Sequence, residues 1–239
     1  MSRYRLMLAL VALAIVMLVG CKQPVGVPNY DVRVATTQTE SCYVAANVES
    51  GHLDWYKDVE RIFDSYSWSW GSPITRAYDC HPLDPDRAWP RKNGYAIFTV
   101  PHFMGGGGNP ATNCVCTLYY YQIAHYGSAD LLVTTWEETE AEWPPYGQGA
   151  RNEYFWAIWD GDVIATDNTH ATDSCWYAIP LDSAACAAIA ETAYAYPFGG
   201  GRFHTGWVYP DSVDGTYTDV TGHDLDHPPF IRVWYDDGE

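Results

Sequence analysis

The sequence has little positive charge and lacks the short motifs of common enzyme classes. Its 13 Lys and Arg stand against 30 Asp and Glu, so the formal net charge is -17 at pH 7. Nucleic acids and anionic lipid head groups both require a basic surface, so this balance argues against either as a partner. A serine-hydrolase elbow, a phosphate-binding loop, a dinucleotide fingerprint and a paired-histidine zinc motif are also absent from the sequence. Composition therefore favours none of these activities.

Long apolar runs are missing too, except at the N-terminus. Two arginines precede the apolar residues 6–19, which is the pattern of the charged and hydrophobic regions of a secretory signal. That run is too short to span a bilayer comfortably. We expect residues 1–20 to be a signal peptide, residues 21–30 a tether, and residues 31–239 a single extracytoplasmic domain.

The end of the apolar run carries a second signal. Residues 18–21 read Leu-Val-Gly-Cys and resemble the lipobox of bacterial lipoproteins. The resemblance implies that Cys21 is acylated and becomes the mature N-terminus, which anchors the protein to a membrane without a spanning helix. Lys22, rather than aspartate, follows it, which in a Gram-negative host implies the outer membrane. We therefore expect a lipid-anchored, extracytoplasmic protein of the cell envelope.

The cysteine count predicts disulfides. Six cysteines remain after Cys21, and an even number in an exported chain predicts up to three bonds. They are Cys42, Cys80, Cys114, Cys116, Cys175 and Cys186. On a helix, the side chains of Cys114 and Cys116 would point about 200° apart, which disfavours a bond between them. The connectivity is otherwise open.

The spacing of apolar residues predicts both helices and strands. Helices are expected at 54–66, 113–127 and 183–194. Strands are expected at 32–35, 43–48, 95–100, 131–136, 154–159, 163–166, 176–179 and 230–235, with loops at 71–93 and 199–222. Asp160-Gly161 lies between two apolar runs and favours a hairpin turn. This order predicts a single α+β domain with an antiparallel sheet, about three helices and disulfide bracing.

A stretch at 101–127 resembles the NlpC-like, papain-fold cell-wall peptidases. The matching residues are Phe103, Gly105, Gly106, Asn113, Cys114 and Gly127. The resemblance implies that Cys114 is a nucleophile at the start of a helix, whose dipole favours the thiolate. Those enzymes place a histidine base at the start of a later strand, and the corresponding position near 152–154 has none. His170 is the nearest substitute, so a papain-like hydrolase of cell-wall peptides is an alternative function.

An acidic segment near the C-terminus offers ligands for a metal. Residues 211–227 contain carboxylates and imidazoles of the kinds that calcium and zinc bind. The candidate ligands are His223, Asp224, Asp226 and His227. The spacing matches no defined metal loop, so a solvated acidic loop without a cofactor is the preferred interpretation and a metal-binding domain is a second alternative.

Aromatic residues are abundant, with 11 Trp and 19 Tyr. Exposed rings beside polar residues can stack on sugars. The candidates are Trp68, Trp70, Trp143, Tyr146 and Trp207; the competing interpretation is that these rings fill the core. The leading prediction is a lipid-anchored envelope lipoprotein whose domain binds a glycan or an envelope protein.

Overall fold

The computed structural model describes most of the chain after the N-terminal segment. It covers residues 39–45, 49–57, 64–70, 74–79, 89–141, 143–168, 174–210, 216–222 and 226–236. Side chains are described from Lys92 to Tyr235 within these ranges. The expected signal peptide and the expected lipid site at Cys21 lie outside the described residues.

Twelve strands and two α-helices make up the described part of the chain. They are β1 (Thr39–Ala45), β2 (Glu49–Lys57), β3 (Asp64–Trp70), β4 (Ile74–Asp79), β5 (Trp89–Val100), β6 (Thr112–Tyr126), β7 (Leu131–Thr135), α1 (Gln148–Trp159), β8 (Asp162–Asp167), β9 (Cys175–Pro180), α2 (Ser183–Ala195), β10 (Gly201–Val208), β11 (Thr216–Thr221) and β12 (Phe230–Asp236). A short 3-10 turn, Gly106–Gly108, lies between β5 and β6.

The strands pair antiparallel throughout. Their order is β1-β12-β6-β11-β4-β5-β10-β7-β8, with β2 joining β5 to β3 and β9 joining β6. The long strand β6 therefore pairs with β12, β11 and β9. It is the element around which the candidate site is built.

The predicted α+β class with about three helices and disulfide bracing is wrong, because the described chain is mainly antiparallel sheet with two helices. The expected helix at 113–127 is β6, and the expected helix at 54–66 falls on β2 and β3. In β6, Tyr120 is buried while Tyr119 and Tyr121 are only half-buried. Aromatic rings on both faces hide the two-residue period by which a strand is recognised.

The predicted strand at 154–159 is also wrong, because these residues form the second half of α1. Tyr154, Phe155 and Ile158 are all fully buried, at the spacing of one helix face. Asp160-Gly161 then joins α1 to β8 instead of forming a hairpin. A Cβ at Gly161 would lie 2.3 Å from the carbonyl oxygen of Thr135, so close backbone contact explains this glycine.

Other local predictions are confirmed. The expected helix at 183–194 is α2, where the carboxylate of Asp182 accepts a hydrogen bond from the backbone N–H of Ala185 at 2.8 Å. Predicted strands correspond to β5, β7, β8, β9 and β12, and the prediction at 43–48 overlaps β1. The prediction at 32–35 lies outside the described residues. The supposed loops contain β4, β10 and β11, so those predictions are wrong.

Disulfide bracing is wrong for the cysteines whose side chains are described. Cys114, Cys116, Cys175 and Cys186 carry thiols and form no disulfide. Cys42 is described only as backbone of β1, and Cys80 lies outside the described residues. Aromatic and aliphatic side chains buried between the sheet and α2 stabilise the fold in the way that disulfides were expected to.

Candidate functional site

The outer side of β9, β6 and β12 carries a contiguous set of aromatic rings. Side chains alternate between the two faces of a strand, and Leu118 and Tyr120 of β6 are fully buried. Tyr119 and Tyr121 therefore lie on the opposite, outer face. Across the strand pairings, Tyr119 is opposite Phe230 of β12, and Tyr121 is opposite Trp176 of β9. Because these pairs are direct cross-strand neighbours, their side chains meet.

We call this surface the aromatic face and define it as Tyr119, Tyr121, Trp176, His227 and Phe230. The rings of Tyr119 and Phe230 stack, with centroids 4.7 Å apart and planes 8° apart. The ring centroids of Trp176 and Phe230 lie 5.7 Å apart, and their planes are inclined at 62°. The ring centroids of Trp176 and Tyr121 are also 5.7 Å apart, with an angle of 78° between the ring planes. Each such pair contributes about 0.5–1.5 kcal/mol beyond simple burial, so the rings hold one another in place.

His227 completes the aromatic face from the turn before β12. Its ring centroid lies 4.5 Å from that of Tyr121 and 5.6 Å from that of Trp176. The hydroxyl of Thr221 donates a hydrogen bond to the backbone carbonyl of His227, which fixes this turn against β11. Trp176 is 37% exposed and His227 is exposed. The face therefore presents apolar ring surface together with polar ring nitrogens to solvent.

A cation lies further along the same side of β12. Residues 230, 232 and 234 share one face of the strand, since Ile231 and Val233 are fully buried. The guanidinium of Arg232 lies over the indole of Trp234, 4.6 Å from its centroid. This cation–π contact orients the guanidinium beside the aromatic face.

The inner side of β6 is a buried polar network that holds the strand in register. The hydroxyl of Tyr120 donates to the carboxylate of Asp167. Burial, and then the charge of Asp167, raise the pKa of Tyr120 well above its ordinary value. Burial also raises the pKa of Tyr209, whose hydroxyl pairs with that of Thr218. Both phenols therefore stay neutral at physiological pH, and this network is structural.

The three sequence candidates whose side chains are described do not lie on one surface. Trp207 is fully buried, and its ring lies 6.5 Å from that of Tyr120 in the core. Trp143 is half-buried against Trp136 and Tyr154, at 5.4 and 4.8 Å between centroids. Only Tyr146 is well exposed, at 72%. These three rings therefore do not share one surface, and Trp143 and Trp207 fit the competing interpretation that the rings fill the core.

Two further sequence candidates, Trp68 and Trp70, lie on β3, where only the backbone is described. The sequence did contain a usable signal for the aromatic face. Trp176 and Phe230 begin correctly predicted strands, and Tyr119 and Tyr121 are two residues apart. The misassigned helix at 113–127 concealed that spacing.

A second aromatic cluster surrounds Trp143 and includes a buried histidine. The ring of His204 on β10 lies 4.5 Å from that of Trp136. Its Nε2 atom is 3.4 Å from a carboxylate oxygen of Glu138, which also lies 3.6 Å from Arg202. Burial lowers the pKa of His204 to about 4 and outweighs the raising effect of Glu138. The histidine is therefore neutral at pH 7 and packs as part of the core.

Cys114 does not have the environment expected for a nucleophile at a helix start. It lies near the beginning of β6, half-buried, with Sγ 3.7 Å from the carbonyl oxygen of Ala111. Because residues 112–126 form a strand, no helix dipole acts on this thiol. The substitute base, His170, lies outside the described residues.

The C-terminal metal candidates are only partly described. His223, Asp224 and residues 211–215 lie outside the described residues, whereas Asp226 and His227 are described and exposed. His227 belongs to the aromatic face. Within the described ranges, no group of three or more His, Cys, Asp or Glu side chains is arranged to hold a metal ion.

Comparisons with known proteins give no family. No family model matches the chain, and no curated protein matches it. Among solved structures, the chain is similar to the K1 cleaved adhesin domain of Lys-gingipain from Porphyromonas gingivalis W83, with 9% identity and a TM-score of 0.28 over 84% of this chain and 99% of that one. A similarity at this level carries no functional argument. None of the described helices has the length and apolarity needed to cross a bilayer.

Proposed function

We propose that this protein is a lipid-anchored binding protein of the cell envelope that holds a neutral glycan on its aromatic face. The observation that carries the proposal is the cluster of mutually packed rings on the outer side of β9, β6 and β12, centred on the exposed indole of Trp176. Such a surface is unusual on a sheet face turned to solvent, where polar residues normally alternate with buried apolar ones.

The chemistry of the face suits a sugar. One side of a pyranose presents C–H groups that pack against aromatic rings, while its hydroxyls need hydrogen-bonding partners. The aromatic face offers both, because the phenols of Tyr119 and Tyr121, the indole of Trp176 and the imidazole of His227 have polar edges. Arg232, beside the face, adds donors in a fixed orientation.

Charge argues that the glycan is neutral. The net charge of -17 creates a negative field that disfavours phosphorylated or strongly acidic polysaccharides. A neutral polysaccharide is not repelled by this negative field. The signal peptide and lipobox-like sequence support the location, because an envelope lipoprotein meets glycans directly.

The proposal is tested by titration calorimetry of the mature protein with two neutral probes, a chito-oligosaccharide and a gluco-oligosaccharide. Trp176→Ala should weaken binding about tenfold, which corresponds to about 1.4 kcal/mol, because the central ring of the face is lost. Tyr146→Ala is the matched control, since this ring is exposed but lies in the loop before α1.

Equal affinities for wild type and Trp176→Ala would refute the aromatic face as the site. Absence of binding to both probes, combined with photo-crosslinking of an envelope protein at position 176, would instead identify a protein ligand.

A further inference from the structure

Two segments of the chain meet at one end of the sheet, where β5 ends and β10 begins: the loop 101–111, and residues 192–201, which run from the last turn of α2 into β10. Val100 pairs with Gly201, so residues 101–111 and 192–201 leave the sheet side by side. The ring Nδ1 of His102 lies 2.8 Å from the carbonyl oxygen of Ala193 and joins them. The first loop is also closed on itself, since the N–H of Gly105 donates to the carbonyl of Asn109 at 2.9 Å.

This end exposes an unusual amount of apolar side chain. Met104 is 43% exposed, Tyr194 42%, Tyr196 52% and Phe198 101%. Single exposed apolar residues are normal, but several in adjacent loops indicate a contact surface. Phe198 is held at the tip by Gly199 and Gly200, whose positive φ angles of 74° and 96° form a tight turn that other residues rarely adopt.

Charged residues at this end lie outside the two segments, such as Asp236 beside Thr112 and Arg202 after Gly201. Residues 101–111 and 192–201 contain no Asp, Glu, Lys or Arg, although 18% of the chain is charged. Moving a charged side chain into the apolar part of a membrane is costly. These loops avoid that cost, and the negative charge of the remaining surface does not affect their contact with a zwitterionic lipid.

The start of β1 also lies at this end of the sheet. Thr39, the first described residue, pairs with Asp236. Asp236 in turn pairs with Thr112, which directly follows the loop 101–111. The N-terminal segment, with its lipobox-like sequence ending at Cys21, is therefore attached on the side of the uncharged loops.

We propose that these two uncharged segments, residues 101–111 and 192–201, form a bilayer-contact surface. Phe198 and Met104 enter the interfacial region of a zwitterionic membrane, and Tyr194 and Tyr196 lie at head-group level, where amphipathic aromatic rings are enriched. This contact orients the domain. Since Tyr119 lies seven residues along β6 from Thr112, the aromatic face is about 23 Å along the strand from this end, at about 3.3 Å per residue.

The test places the photo-reactive residue p-benzoylphenylalanine at position 198 of the full-length protein, which is then mixed with phosphatidylcholine vesicles. The matched control carries the same residue at position 126, because Tyr126 is 64% exposed at the far end of β6. After irradiation, mass spectrometry scores lipid adducts. We expect a lipid adduct at position 198 and no lipid adduct at position 126.

Equal adducts at both positions, or none at position 198, would overturn the proposal. Crosslinking of position 198 to a second copy of the chain would also overturn it and assign the surface to self-association. The lipid adduct at position 198 can be measured whether or not Cys21 is acylated. Glycan binding is measured in a separate titration. A missing adduct would therefore contradict the bilayer contact without contradicting the proposed glycan binding. Phe198 makes no buried contact to lose, and a thermal melt verifies that each variant is folded.

Discussion

Acidification should destabilise the protein through His204. Burial lowers the folded-state pKa of this residue to about 4, whereas the unfolded chain has a pKa of about 6.5. The difference of about 2.5 pH units corresponds to about 3.5 kcal/mol at about 1.4 kcal/mol per unit. Only 12% of the side chain is exposed, so solvent screening reduces this figure little.

The direction follows from proton uptake. Between about pH 6.5 and pH 4, the unfolded state binds a proton at this position that the folded state does not, so stability falls as pH falls. The stabilisation is fully present above the unfolded pKa and is lost progressively down to the folded pKa. Below about pH 4 both states are protonated, and this residue adds no further pH dependence.

The assay is urea unfolding at pH 7 and pH 4.5 for wild type and His204→Gln. Other titrating groups contribute equally to both proteins, so they cancel in the comparison. The loss of unfolding free energy between the two pH values should be smaller in the variant by about 2.5 kcal/mol. An identical pH dependence in the two proteins would refute the view that His204 is held neutral by burial.

Three further outcomes are expected. Gly161→Ala should lower the unfolding free energy by about 1–3 kcal/mol, because its Cβ would collide with the carbonyl of Thr135; an unchanged urea midpoint would contradict this close contact. Tyr120→Phe should cost about 1.5–3 kcal/mol, since it removes a hydrogen bond to the buried carboxylate of Asp167; a neutral effect in the same assay would argue against that bond. Mass spectrometry of the mature N-terminal peptide should show acylation at Cys21 that is lost in Cys21→Ser, and an unmodified cysteine in the wild type would rule out the anchor.

The sequence predicted the elements in which one local signal dominates. The helix α2 begins at a capping aspartate, Asp182, and has an alanine-rich interior, so capping and intrinsic propensity agree. Strand β7 consists of apolar and β-branched residues, Leu131–Thr135. In such segments, tertiary contacts reinforce the local preference.

The prediction failed where partners far along the chain decide the structure. Residues 54–57 have helix-like apolar spacing, but β2 is paired on both sides, with β3 and with β5, and these ladders outweigh the local pattern. Strand β6 carries aromatic residues on both faces because it is buried on one side and bears the aromatic face on the other. Neither arrangement can be recognised from spacing alone.

The sequence contained the strands that carry the aromatic face, but it could not show that they lie side by side. Its rings come from three segments of the chain, and only the pairings of Tyr119 with Phe230, 111 residues apart, and of Tyr121 with Trp176, 55 residues apart, bring them together. An excess of Trp and Tyr predicted that a platform is available, but it could not indicate which rings form it.

The central claim is that a neutral glycan packs on Trp176 and His227. Nuclear Overhauser effects between the ring protons of a bound neutral oligosaccharide and assigned aromatic protons measure this contact directly. We predict cross-peaks from the sugar C–H groups to the indole of Trp176 and the imidazole of His227, and none to Tyr146. Cross-peaks to Tyr146 in place of Trp176, with the glycan demonstrably bound, would contradict the assignment of the site.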